Sequence, residues 1–171
     1  PRRYVAHECP EVFEWNGWWY LVYSEFSESF TTRYRMSRSL HGPWIVPEDD
    51  SLDGRAYYAA KSAARDGRRF FFGWIASREG GVDDGAWQWA GTLSVLEAEQ
   101  RADGTLRFHP PREFADTFGE PEPGLAAGTI LRALDGYADA LVPVEAPRAF
   151  RVRARFDIAP HTTECGILLR A

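Results

Sequence analysis

The sequence predicts an all-β chain: blades of a β-propeller followed by the beginning of a β-sandwich. Three observations carry that expectation. Short turn signals punctuate the chain, at Asn16-Gly17, His41-Gly42-Pro43, Asp66-Gly67, Gly80-Gly81, Asp103-Gly104 and Asp135-Gly136, and such dipeptides between apolar runs mark hairpins. Aromatic residues make up 15% of the chain and include seven Trp, a bias shared by sheets and sugar-binding clefts. Finally, NGWWYLVYS superposes on DGRRFFFGW with a shift of fifty positions, Asn16 onto Asp66, Tyr20 onto Phe70 and Val22 onto Phe72.

Each copy of that unit reads as four strands. In the first they are EVFEW, GWWYLVYSEF, TTRYRMSRS and GPWIVPE; in the second, YYAAKSAA, RRFFFGWIAS, WAGTLSVLEAEQ and TLRFHPP. Four short strands recurring at such a period are the signature of propeller blades. A propeller closes with about 4 to 8 blades, so the two over residues 1–115 are expected to be a piece of a longer protein. A Pro/Gly-rich connector, EPEPGLAAG, then leads into TILRAL, ALVPVE, AFRVRARFDIA and CGILLRA. FRVRARF alternates apolar and basic residues, as in a strand with one buried face. Residues 116–171 are therefore read as a truncated β-sandwich domain.

Composition removes several function classes. A formal net charge of -5, with Lys and Arg scattered, gives no basic footprint for nucleic acid or an anionic membrane. The longest apolar runs, such as FFFGWIA, fall far short of the about 20 residues that span a bilayer. Two cysteines, Cys9 and Cys165, can build neither a disulfide framework nor a four-ligand zinc site, and neither a metal nor a cofactor is expected. The chain leaves compartment and oligomeric state open.

The repeat puts Glu8 at the blade position of Tyr58, and Cys9 at that of Ala59. First strands of propeller blades line the central axis, so Glu8 and Tyr58 are expected to be neighbours at one funnel mouth. A carboxyl among aromatic rings is partly desolvated, and desolvation favours its protonated form, which suits a group that donates a proton to a leaving oxygen. A backbone-bonding or surface role for Glu8 is the structural alternative. Alternation sends Tyr57 and Tyr58 to opposite faces, so at most one reaches a ligand. Tyr57, Tyr58 and Trp74 are candidate sugar contacts, because flat rings cover the apolar faces of sugars. Trp18, Trp19 and Phe70 to Phe72 read as packing between blades, and His41, His109 and His161 carry no pattern.

HECPEVFEWNGWWYLVYS resembles the Glu-Cys-Pro segment of glycoside hydrolase family 32, the invertase, levanase and inulinase family. LDGRAYYAAKSAARDGRRFFFGWI resembles its Asp-x-Gly-x-x-Tyr-Ala stretch and Gly-Trp strand end, WQWAGTLS its Trp-x-Gly segment, and FRVRARFDIAPHTTECGILLR the early strands of its sandwich. The resemblance implies a five-bladed propeller with an appended sandwich, and retaining cleavage of fructosyl bonds in sucrose, levan or inulin. It makes Glu8 the catalytic acid/base, makes residues 1–115 the last blades of a catalytic domain whose N-terminal blades precede Pro1, and gives Asp53 and Lys61 places by the sugar; with the ring candidates Tyr58 and Trp74 and with Cys9 they make up the expected substrate pocket. Lys61 would pair Asp53 or Glu8, and Cys9 would shape the wall beside Glu8. Retention needs two carboxyls about 5 Å apart. The family's Trp-x-Asn-Asp-Pro nucleophile segment and its Arg-Asp-Pro segment are absent from this sequence, where Arg65-Asp66 runs into Gly67. The isolated chain is therefore expected to be inactive, its partners being a fructoside and the upstream segment. Departures exist too: Gly54 comes one place early, with Arg55 where the family has Gly, and VLEAEQ replaces Leu-Pro-Arg-Glu. An arabinan- or xylan-type five-bladed hydrolase and a non-catalytic carbohydrate-binding propeller are the alternative readings.

Overall fold

A computed structural model describes residues 6–82, 84–120, 130, 131, 138 and 150–167. The chain divides into two compact units, Pro1–Ala115 and Asp116–Ala171. The first holds two antiparallel sheets. One contains β1 (Ala6–Trp15), β2 (Trp18–Phe26) and β3 (Thr31–Ser37) in the order β1-β2-β3; the other contains β4 (Tyr57–Arg65), β5 (Arg68–Arg78), β6 (Trp87–Gln100) and β7 (Leu106–His109) in the order β4-β5-β6-β7. A 3-10 turn, Glu79–Gly81, interrupts the passage from β5 to β6, and a one-turn helix α1, Arg112–Ala115, closes the unit.

The fifty-residue repeat is present in the backbone. β1 and β2 register with an irregularity between Glu8 and Glu11, and β4 and β5 with one between Tyr58 and Lys61. Within those bulges Cys9 has φ 51° and Ala59 φ 55°. The hairpin turns repeat as well: Asn16 and Gly17 have φ 49° and 77°, Asp66 and Gly67 φ 53° and 76°. Two successive residues at positive φ make the type I′ turn, whose twist matches that of the strands it joins, which is why Asn-Gly and Asp-Gly occupy these places. A bulge re-aims the strand that carries it, and here it falls immediately after Glu8 in one sheet and Tyr58 in the other.

The core lies between the sheets and is rich in tyrosine. Tyr20, Tyr34, Tyr57 and Tyr58 are each fully buried, alongside Val22, Met36, Leu52, Phe71, Leu96 and Leu106. A buried phenol needs a partner for its hydroxyl, and all four have one. Tyr20 Oη donates to the Gly104 carbonyl at 2.6 Å, and Tyr57 Oη to that of Phe71 at 3.1 Å. Tyr34 Oη accepts the Leu106 amide at 3.0 Å, and Tyr58 Oη donates to Glu8. Polar clamps reinforce this interface: Gln100, at the end of β6, donates to the Trp15 carbonyl at 2.9 Å and to Tyr20 Oη at 2.6 Å, and accepts from Asn16 Nδ2 at 2.9 Å.

Several expectations are corrected. The fourth strand of the first unit, GPWIVPE over residues 42–48, does not form; one isolated bridge, Met36 with Ile45, stands in its place. Pro43 and Pro47 flank the bridge and lack the amides that a ladder requires, and Ile45 and Val46 stay exposed. Residues 150–159 of AFRVRARFDIA form no strand, and Phe150, Val152, Phe156 and Ile158 are all exposed. Alternation specifies a strand only where a neighbouring strand pairs with it and a core covers one face. Most of TILRAL, all of ALVPVE and the end of CGILLRA lie outside the described residues. Helix α1 was not anticipated. Among the described residues no helix is long and apolar enough to cross a membrane.

Candidate active site

Glu8 lies on β1 just ahead of its bulge, half-buried, and its Oε2 accepts a hydrogen bond from Tyr58 Oη at 2.7 Å. The two residues expected to meet across the blades do meet. Tyr58 is the donor of this bond. Burial pushes its phenol pKa up, the hydrogen bond to Glu8 and the charge of Glu8 push it further, and Cys9 and Glu25 add to the effect from nearby. The phenol therefore keeps its proton at any ordinary pH and points it at the carboxylate.

Rings pack around Tyr58. Phe30 stacks on Tyr58 with centroids 4.2 Å apart and planes 5° from parallel. Trp74 lies 5.3 Å from Tyr58, and Trp89 meets both Tyr58 and Trp74 edge-on, at 5.8 Å and 5.4 Å. Phe26 completes the group, with centroids 5.8 Å from Phe30 and 5.9 Å from Trp89. Trp89 is 65% exposed, so the group opens to solvent on that side. Phe26, Phe30 and Trp89 were not identified as candidates. Trp89 stood in the WQWAG segment, but Phe26 and Phe30 flank a loop, where no periodicity could single them out.

The remaining candidates divide. Trp74 belongs to the aromatic group. Cys9 is half-buried at the bulge and close enough to influence Tyr58, with its thiol free. Lys61 does not pair Asp53 or Glu8; its Nζ donates to the carbonyls of Cys9 at 3.0 Å and Pro10 at 2.8 Å. The bulge leaves those carbonyls without ladder partners, and the nearest long cation on β4 caps them. Glu11 adds a second tie, accepting the Ser62 amide at 2.7 Å and its hydroxyl at 2.8 Å. Tyr57 turns away from Glu8, its ring lying against Gly73, where an added Cβ would sit 2.8 Å from the ring.

Asp53 is exposed, and its Oδ1 accepts the Gly54 amide at 2.8 Å, as in an ordinary turn. It lines two cavities, of about 630 and 270 Å³, together with residues such as Asp49, Ser51 and Arg55. Glu8, Tyr58 and Trp74 line neither. Among the described residues no group of three or more His, Cys, Asp or Glu side chains gathers as a metal site.

No protein-family model matches the chain, and no curated protein matches it. Solved structures do. An exo-1,5-α-L-arabinanase from a bovine ruminal metagenomic library is 18% identical over 63% of this chain and 42% of its own, with a TM-score of 0.48. The GH32 β-fructofuranosidase BmSUC1 of Bombyx mori is 20% identical over 69% of this chain and 28% of its own, with a TM-score of 0.51. A levansucrase variant complexed with sucrose is 15% identical over 63% of this chain and 28% of its own, with a TM-score of 0.43. The chain thus spans less than half the length of each of these three. The Bombyx mori match defines the fold: antiparallel sheets arranged as in a propeller glycoside hydrolase.

Proposed function

We propose that this chain supplies the acid/base half of a retaining glycoside hydrolase site that cleaves fructosyl bonds of the sucrose, levan or inulin type. The observation that carries the reading is the hydrogen bond from Tyr58, one ring of a five-ring aromatic group, to Glu8 at the bulge of a first blade strand. A half-buried carboxyl beside rings can protonate a glycosidic oxygen as it leaves and then, as carboxylate, take a proton from water. Tyr58 orients Oε2 through both steps. Trp74 and Trp89 supply faces on which a sugar ring can stack.

Retention also needs a nucleophilic carboxyl about 5 Å away. Among the described residues Glu11 is engaged by Ser62, Glu25 by Arg33 and Asp50 by Arg33 and Arg35. We assign the nucleophile to propeller blades upstream of Pro1, so activity is expected of the whole protein and not of this segment. The family resemblance of the Glu-Cys-Pro segment favours fructosides over arabinan. The test is fructose release from sucrose, levan and inulin, and arabinose release from arabinan, by the whole protein and its Glu8→Gln variant. Fructose release that Glu8→Gln abolishes supports the proposal. Arabinose release, or binding of these sugars with no hydrolysis, would replace it.

A further inference from the structure

The hydrogen bond between Tyr58 and Glu8 joins two blades, so its geometry depends on whatever fixes β4 against the first sheet. Three residues stand directly opposite one another across that sheet: Glu8 on β1 pairs with Ser24 on β2, and Ser24 pairs with Thr32 on β3. Each of the three bonds a different atom of one short stretch of β4. Glu8 takes the Tyr58 phenol. Ser24 Oγ accepts the amide of Ala59 at 2.8 Å, and Thr32 Oγ1 donates to the carbonyl of Tyr57 at 3.1 Å. The two hydroxyls lie 3.1 Å apart, and both residues are fully buried.

A hydroxyl has one proton, which fixes the direction of this chain. Thr32 spends its proton on the Tyr57 carbonyl. Ser24 must then donate to Thr32, leaving its lone pair for the Ala59 amide. The sequence of donors runs from the Ala59 amide through Ser24 and Thr32 to the Tyr57 carbonyl, with no proton missing and none in surplus. It grips the backbone on both sides of Tyr58, at the place where the pairing of β4 with β5 breaks and Ala59 takes a positive φ.

We propose that Ser24 and Thr32 are positioning residues for the acid/base: through the backbone of Tyr57 and Ala59 they set the reach of Tyr58 to Glu8. The inference rests on the functional reading given above only for its effect on catalysis; its effect on geometry stands apart. Neither hydroxyl touches Glu8. Their loss therefore acts as a misplacement of Tyr58, lowering kcat by roughly ten- to a hundredfold and leaving KM unchanged.

The experiment is proton NMR of the whole protein. A buried phenol proton held by a carboxylate gives a far-downfield line, assigned to Tyr58 by its disappearance in Tyr58→Phe and its upfield shift in Glu8→Gln. Thr32→Val and Ser24→Ala are expected to move that line upfield or abolish it, and to lower kcat on the hydrolysed sugar. Thr32→Ser, which keeps the hydroxyl, is expected to restore both. An unchanged line in folded Thr32→Val and Ser24→Ala overturns the inference. Should both variants fail to fold, the wild-type protein decides: slowly exchanging hydroxyl protons on Ser24 and Thr32, with a cross-peak from Ser24 to the Ala59 amide, support it, and their absence overturns it. Activity retained in Glu8→Gln would defeat the functional reading while leaving the NMR result to stand or fall separately.

Discussion

Tyr58 and Glu8 stand fifty positions apart in the chain and meet at 2.7 Å, phenol proton to carboxylate, at equivalent points of two repeated units. The repeat is what makes them meet. Each residue precedes a bulge in the first strand of its own sheet, and the two first strands run side by side, tied by Lys61 to the Cys9 and Pro10 carbonyls and by Glu11 to Ser62. A carboxyl in one copy and a phenol in the other turn a structural repeat into a donor-acceptor pair.

Tyr58→Phe keeps the ring stacked on Phe30 and deletes only the donor. A hydrogen bond to a charged group contributes about 1.5–3 kcal/mol, so turnover by the whole protein should fall by roughly ten- to a hundredfold with the fold intact. If the proposed acid/base role of Glu8 holds, Glu8→Gln should cost more, ~10²–10⁴-fold. Initial rates of fructose release, with circular dichroism as the control for folding, check both. A Tyr58→Phe enzyme as fast as wild type would deny the phenol any part in catalysis.

The turns at Asn16-Gly17 and Asp66-Gly67, three strands of the first unit and four of the second, and the Glu8–Tyr58 encounter were legible in the sequence because each rests on local chemistry or on the repeat. Asn16-Gly17 and Asp66-Gly67 demand type I′ geometry wherever they occur between apolar runs. What could not be read depends on partners distant in the chain. Lys61 looked like a mate for a carboxylate, yet the bulge at Cys9 offers it two unpaired carbonyls, and bulges are not visible in composition. Phe26 and Phe30 join the aromatic group through a loop with no periodicity. GPWIVPE has strand-like residues, but its prolines leave only one bridge at Ile45. FRVRARF alternates correctly and still forms no strand, since alternation states a preference for a face and supplies no face to cover it.

Gly73→Ala tests the seat of Tyr57. The new methyl would lie 2.8 Å from the Tyr57 ring and 3.0 Å from the Tyr58 carbonyl. The ring is fully buried and its hydroxyl is bound to the Phe71 carbonyl, so it cannot retreat. Overpacking of this kind costs about 1–3 kcal/mol. Urea denaturation should show a lower midpoint with an unchanged slope, and a midpoint equal to wild type would mean that Tyr57 has room to move.

Glu25 and Arg33 form the ion pair on which the loop between β3 and β4 is anchored. Glu25 is fully buried; its Oε2 meets Arg33 Nε at 2.5 Å, its Oε1 accepts from the Ser27 hydroxyl, and Arg33 reaches on to Asp50, which Arg35 also holds. Arg33→Met leaves a buried carboxylate without its cation and should destabilise the fold by about 3–5 kcal/mol. Replacing both, with Glu25→Gln added to Arg33→Met, should recover most of that loss, because no unpaired charge then remains inside. Chemical denaturation of the two single variants and the double variant gives the coupling directly, and additive losses would show that the pair acts as two independent groups.

Arg68 makes acid stability a property of the end of the first unit. Its Nε and Nη2 grip Glu97 at 2.6 and 2.5 Å, and its Nη1 reaches Glu113 on α1 at 2.5 Å. Those hydrogen bonds, first among the causes, hold Glu97 below its ordinary range and bring Glu113 from 4.5 to about 2. A carboxyl whose pKa is depressed in the folded state stabilises that state fully above its unfolded value and loses the effect as pH falls through the folded one. The window for Glu113 therefore runs from 4.5 down to about 2. Thermal melts of wild type and Arg68→Ala should differ by a constant amount above that window, draw together within it and meet only below its lower end. Because Glu113 is exposed, salt should shrink its part of the difference, leaving the part due to the more enclosed Glu97. Melting curves that stay equally far apart down to the bottom of the window would show that Arg68 stabilises the unit by packing on Phe70, over whose ring it lies at 4.7 Å, and not through these carboxylates.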